Sequence, residues 1–181
     1  MLCKLDIVLS LLYICIYNTV NKETIMLESI QSFVETTDPI WQWLAVGLAG
    51  AIPYVESYLA AALGVAAGVA LPIAIIAACV GNWVSMFALV QFGHSFRERY
   101  MGNKEPEGKM FKFKQAFNKY GVVGVSLFGQ TLLPSQLTSM GMIALGAPKG
   151  KVLFWQTISI IIWGVGFGLL AYAGVNVFQG R

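Results

Sequence analysis

Residues 49–64 read AGAIPYVESYLAAALG, and this stretch decides the fold. Glu56 is the only charged residue between Asp38 and Arg97, and Pro53 lies three residues before it. The surrounding chain is almost wholly apolar and runs for about two bilayer crossings. A lone carboxylate at membrane depth is costly and marks a functional position. A proline beside it predicts a broken or re-entrant helix rather than a plain span. Pro53–Glu56 is therefore the first candidate for an intramembrane site.

Composition agrees. The chain is 57% apolar and 12% charged, with a mean hydropathy of +0.68. A soluble domain carries about 25% charged residues. These values predict an all-α integral membrane protein whose first partner is the lipid bilayer. The net charge of +3 does not point to nucleic acid, because its position matters more than its sum. Seven of the twelve basic residues (Arg97, Arg99, Lys104, Lys109, Lys112, Lys114 and Lys119) fall in one short polar stretch. The positive-inside rule makes that stretch a cytoplasmic loop.

Five segments follow. Residues 1–25 form an N-terminal extension or weak anchor, because Asp6–Tyr17 offers about a dozen apolar residues where a span needs about 20. Met26 reads as the physiological start. Residues 26–38 form a polar amphipathic segment with Leu27, Ile30, Phe33 and Val34 at helical spacing. Residues 39–96 hold a first hairpin and a transmembrane helix over Ala70–Phe92. Residues 97–119 are the basic loop, in which lysines alternate with Phe111, Phe113 and Phe117 as on a membrane-surface segment. Residues 120–181 hold a second hairpin, interrupted by Gln130, Thr131 and Pro134–Ser139, and a last span over Val152–Phe178.

Charge constrains the topology. If Tyr120–Ala147 crossed fully, Lys149 and Lys151 would lie opposite the basic loop, against the positive-inside bias. A hairpin bent near Pro134 keeps both basic clusters on one side. Residues 26–38 carry three acids and no Lys or Arg, so they suit the other side. The expected fold is then two re-entrant helical hairpins plus transmembrane helices, with Pro53 and Pro134 meeting at mid-depth. A short echo fits an inverted repeat: Ile52-Pro53 leads to Ala62-Leu63-Gly64 as Leu133-Pro134 leads to Ala144-Leu145-Gly146.

Glu56 reads either as a proton carrier coupled to substrate exchange or as a cap on a broken helix. The cluster around Pro134 reads as support for the freed backbone or as a substrate site. Gln130, Gln136 and Thr138 are its candidate binding residues, with Ser57 and Tyr58 as counterparts beside Glu56. Asn82 within a span glues helices or binds substrate. Gly64 with Gly68, and Gly164 with Gly168, suit close helix packing inside the molecule.

Cys3, Cys15 and Cys79 have no metal-ligand or CxxC spacing, and His94 reads as interfacial. No P-loop, HExxH or GxSxG motif is present. We expect no enzyme, no cofactor and no metal.

Ile52-Pro53-Tyr54-Val55-Glu56-Ser57-Tyr58, Gly64, Gly81-Asn82, Lys119-Tyr120-Gly121, Gly124 and the Pro134 hairpin together resemble the bacterial small multi-drug export protein family. That family looks distantly related to DedA-type (VTT-domain) proteins. The likeness runs from about Trp43 to the C-terminus. It implies a multi-pass protein of the bacterial plasma (inner) membrane with two re-entrant hairpins. It also implies transport, either efflux of small compounds or translocation of lipid. The family's acidic residue maps onto Glu56 and its Gly-Asn pair onto Gly81 and Asn82. Tyr58 stands where an arginine is expected. Thr131 and Leu137 stand near the positions of the arginines that flank the second proline in DedA-type proteins. Those arginines suit phosphate recognition, so their absence weighs against a phospholipid substrate. Proton-coupled efflux of small compounds, cationic ones included, is thus the first expectation. A lipid translocase and a non-transporting scaffold or accessory subunit are the alternatives. A homodimer completing the pathway is compatible with the chain's small size.

Overall fold

The computed structural model describes the backbone of residues 24–100, 109–129 and 133–178, without the side chains of 92–100 and 109–112. The apolar segment Asp6–Tyr17, Cys3, Cys15, the centre of the basic stretch at 101–108, and the side chain of His94 lie outside the described residues. Among the described residues every regular element is helical. They are α1 (24–36), α2 (Gln42–Ala51), α3 (Glu56–Ala66), α4 (Leu71–Tyr100), α5 (Lys109–Phe128), α6 (Ser135–Ala144) and α7 (Lys149–Phe178).

Among the described residues two helices are long and apolar enough to cross a membrane: α4 over Leu71–Gln91 and α7 over Lys149–Val177. Only 33% and 22% of their most apolar windows are buried. A core helix of a soluble protein would be mostly covered. Here Ile76, Val80, Leu170 and Val177 point outward, each more than half exposed.

The apolar run from Trp41 breaks where Pro53 predicts. Helix α2 stops at Ala51, residues 52–55 turn, and α3 starts at Glu56. The two short helices pack on each other and on α4. Their shared core holds Val46, Ala49, Ala60, Ala61, Ala74 and Ala78, with Val34 of α1 at its edge. Alanines and glycines let these helices approach closely.

Helices α3 and α6 end alike. In α3 the Gly68 N–H donates to Val65 O and the Val69 N–H to Gly64 O. In α6 the Gly146 N–H donates to Ile143 O and the Ala147 N–H to Met142 O. Both are Schellman motifs, and both need the left-handed backbone that glycine adopts freely (φ 87° and 92°). Each is followed by a proline in or just before the first turn of a long helix, Pro72 in α4 and Pro148 before α7. The equivalent of Gly146 is therefore Gly68, not the Gly64 that the sequence echo pairs with it. Gly64 instead packs against Val46 and Ala74, while Gly164 meets Cys79 and Ser57, and Gly168 meets Ile75.

The basic stretch 97–119 is less of a loop than its charge implies. The chain stays helical to Tyr100 and is helical again from Lys109. Phe113 and Phe117, four residues apart, share one helical face. They pack on Val122, Val125, Met142, Ala147 and Val152. At Gly121 the backbone leaves the helix (φ 65°, ψ −168°), which separates this basic half of α5 from its apolar half. The same packing places the basic half beside the start of α7, where Lys149 and Lys151 lie. Lys149 Nζ in turn donates to Gln91 Oε1 of α4.

Candidate functional site

Glu56 opens α3 and Ser135 opens α6, each just after a proline-containing break. The first N–H groups of a helix have no partner within it, and together they carry partial positive charge. The Ser135 N–H meets this need by donating to Glu56 Oε1. Both residues are fully buried. The start of α6 is thus capped by a carboxylate from another helix.

Ser135 is the hub of the cluster. Its Oγ donates to Asn82 Oδ1 of α4 at 3.0 Å. Its carbonyl accepts from Thr138 Oγ1 at 3.0 Å and Ser139 Oγ at 2.6 Å. Gln136 Nε2 donates to Ser85 Oγ at 2.8 Å and to Asn82 Oδ1 at 3.4 Å. Gln156 Nε2 of α7 donates to Thr138 Oγ1 at 2.9 Å. Four helices, α3, α4, α6 and α7, therefore meet through side-chain bonds in a region shut off from solvent. In such surroundings satisfied polar groups fix a single arrangement, and unsatisfied ones are expensive.

Four buried side-chain atoms have no hydrogen-bond partner among the described residues: Glu56 Oε2, Asn82 Nδ2, Ser126 Oγ and Ser159 Oγ. Two of them belong to the cluster itself. They offer it an acceptor on Glu56 and a donor on Asn82. No cation faces Glu56 in the described structure, and no group of three or more metal-ligating side chains occurs among the described residues.

A second junction supports the first. Ser57 Oγ donates to the Ile160 carbonyl at 2.9 Å, and Cys79 Sγ lies 3.6 Å from the same oxygen. This ties the start of α3 and the middle of α4 to α7.

The turn that delivers Glu56 has unusual backbone. Tyr54 (φ 74°) and Glu56 (φ 52°) both occupy the left-handed region. Side chains make that region costly, and such conformations gather at functional sites. Tyr54 is 60% exposed, so its side chain can be removed with little loss of packing. Tyr54→Gly is expected to raise stability by about 1 kcal/mol, the relief of strain exceeding the extra freedom of the unfolded chain. Thermal unfolding in detergent measures it, and a lower midpoint would show that the turn is unstrained.

The sequence-predicted residues divide. Glu56, Asn82, Gln136 and Thr138 come together. Pro134 is buried at the start of α6, whereas Pro53 is exposed in its turn. Gln130 and Thr131 lie outside the described residues. Tyr58 has other partners as well. Its hydroxyl donates to Tyr54 O at 3.0 Å, and its ring packs edge-on to Phe167 and Trp163. Two residues, about half a helical turn, carry it away from the face that Glu56 occupies. Sequence reasoning missed Ser85, Gln156, Ser159 and Ser126. Ser85 lies three residues after Asn82, on the same helical face. Gln156 and Ser159 are polar residues inside an apolar span, which is itself a signal.

Two outward grooves stand apart from this cluster. One, of about 450 Å³, runs between α2 and α4 past Trp43, Leu48, Ile76 and Val80. The other, of about 460 Å³, lies among Leu27, Leu59, Leu63 and Val175. Neither is lined by a residue of the polar cluster. No protein-family model, no curated protein and no solved structure matches this chain.

Proposed function

We propose that this chain is a bacterial inner-membrane transporter of small compounds, with Glu56 carrying a proton between the two broken-helix units. The observation that carries the reading is Glu56 itself. It is fully buried between two helix starts, one oxygen held by Ser135 and the other without a hydrogen-bond partner among the described residues. A purely structural cap needs one acceptor. The second oxygen is where a proton or a cationic substrate group binds. Discontinuous helices whose ends meet at a polar site are a recurring transporter plan.

In this reading the α2–α3 and α5–α6 units are re-entrant hairpins. The shared order of proline-containing break, short helix, Schellman glycine and long helix supports an inverted repeat. The packing of the basic half of α5 beside Lys149 and Lys151 supports return of residues 120–147 to their side of entry. Single cysteines at Gly108 and at Gly150, in a chain without its native cysteines, check this with a membrane-impermeant thiol reagent. Both are expected to stay shielded in intact cells. Labelling of Gly150 alone from outside would make residues 120–147 a span and remove the two-hairpin reading.

The function is tested in proteoliposomes. An imposed pH gradient is expected to drive accumulation of a small cationic dye above the level in empty vesicles. Equal accumulation in both ends the proposal. The apolar α2–α4 groove favours a second reading, a lipid translocase, since it suits an acyl chain. Dithionite quenching of fluorescent lipids decides that one: a quenched fraction no greater than in empty vesicles rules it out.

A further inference from the structure

The last acidic residue of the chain is Glu107. Residues 108–181 contain six lysines and one arginine and no Asp or Glu. Three of those lysines, Lys114, Lys119 and Lys151, are exposed at one end of the helical bundle. The packing of Phe113 and Phe117 with Ala147 and Val152 sets the segment that carries Lys114 and Lys119 against the start of α7, where Lys151 lies. Phe113 and Phe117 face inward onto Met142, Ala147 and Val152, and Lys114, Gln115, Asn118 and Lys119 face away from the protein. Gln115 and Asn118 share the outer surface with Lys114 and Lys119. Tyr120, 58% exposed, closes the helix, with Lys119 Nζ 4.9 Å from its ring centre.

We infer that this lysine face is a docking surface for the headgroups of anionic phospholipids in the adjoining bilayer leaflet. Three observations select that occupant. The charge is of one sign, with no carboxylate in residues 109–120 or 149–152, the segments that form it. The neighbouring spans α4 and α7 place it at the end of an apolar surface, at the depth where headgroups lie. An amphipathic aromatic such as Tyr120 suits the same depth. Clustered lysines at that level attract acidic lipids by about fivefold in relative affinity for each charge.

The surface also touches the polar cluster indirectly. The Phe113 ring lies over Gly141 in α6, so close that an added Cβ there would stand 2.7 Å from a ring carbon. Gly141 is six residues beyond Ser135 on the same short helix. Lipid that fixes the basic half of α5 therefore fixes the helix whose start holds Glu56. Gly121 supplies the joint about which that half is set.

The inference rests on the membrane placement proposed above and not on transport. The test uses the full chain in mixed vesicles with spin-labelled phosphatidylglycerol or spin-labelled phosphatidylcholine. The share of motionally restricted lipid is measured at low and high ionic strength. Restriction of phosphatidylglycerol is expected to exceed that of phosphatidylcholine several-fold at low salt and to fall toward equality at high salt. The triple variant Lys114→Gln, Lys119→Gln, Lys151→Gln is expected to lose the preference, and the matching Lys→Arg variant to keep it. All three side chains are exposed, so folding is little affected, and monodispersity in detergent verifies this. Equal restriction of both lipids by the native chain, or an undiminished preference in the Gln variant, overturns the docking surface alone. No restricted component with either lipid overturns the membrane placement with it.

Discussion

Glu56→Gln is expected to abolish proton-driven accumulation in proteoliposomes while the protein still folds and inserts. Glutamine keeps the shape of the side chain and one acceptor oxygen. That oxygen can still receive the Ser135 N–H, so the cap on α6 survives. What glutamine cannot do is bind and release a proton. Its amide would occupy the place of Oε2, the atom without a partner among the described residues. The change in stability should stay within about 1 kcal/mol, the usual net worth of a single hydrogen bond. Glu56→Leu separates the two roles. It leaves the Ser135 N–H buried and unpaired, which costs about 1–3 kcal/mol. A structural cap therefore predicts a mild Gln variant with normal transport and a destabilised Leu variant. A proton carrier predicts two inactive variants, of which only the second is destabilised. Transport assays and thermal unfolding on both variants distinguish these outcomes. Normal pH-driven transport by Glu56→Gln would remove the coupling role.

How much of this was legible in the sequence depended on what kind of group was involved. Glu56 stood out because a single charge in a long apolar run has no bland surroundings to hide in. The breaks at Pro53 and Pro134 were legible for a similar reason, since proline removes a backbone donor wherever it falls. Ser135 is different. Its main contribution to Glu56 is a backbone N–H, which every residue but proline possesses. It becomes special only because α6 starts there, and helix starts are the least certain part of any sequence reading. The same holds for Tyr58. Two residues beyond Glu56 in sequence, it looks like a companion, but two residues on a helix lie on different faces. Glu56 turns toward α6, and Tyr58 turns toward Trp163 and Phe167 of α7.

The distribution of lysines predicts that residues 120–147 begin and end on one side of the membrane. In the structure Phe113 and Phe117 pack with Ala147 and Val152. The helical state of the basic half of α5 was obscured by the same lysines, because alternating Phe and Lys also fits a strand or a loose connector. Only the four-residue spacing of Phe113 and Phe117 distinguishes a helix, and two residues are a weak pattern.

Gly81→Ala is expected to cause the largest loss of stability among single-methyl additions. A Cβ at Gly81 would fall on the backbone carbonyl of Gly47, where α2 and α4 cross. One turn away the crossing is also tight, for a Cβ at Gly50 would stand 2.5 Å from Ala78 O. Two backbones in contact cannot yield as a flexible side chain does, so the helices must separate. Overpacking of this kind costs about 3 kcal/mol. The control is Gly166→Ala in α7, where an added Cβ meets nothing within 4 Å. That change should be neutral or gain up to about 1 kcal/mol from helix propensity. Denaturation midpoints of both variants in mixed micelles measure the difference, and equal midpoints would refute the close crossing. The consequence reaches the site. Asn82 follows Gly81, and its Oδ1 holds both Ser135 and Gln136. A shift of α4 away from α2 moves Asn82 relative to α6 and disturbs the bonds that seat Ser135 against Glu56. Gly81→Ala should therefore impair transport as well, although glycine contributes no polar side chain to the cluster. The Gly81–Asn82 pair joins a packing role and a polar role in adjacent residues, and the first sets the geometry that the second requires.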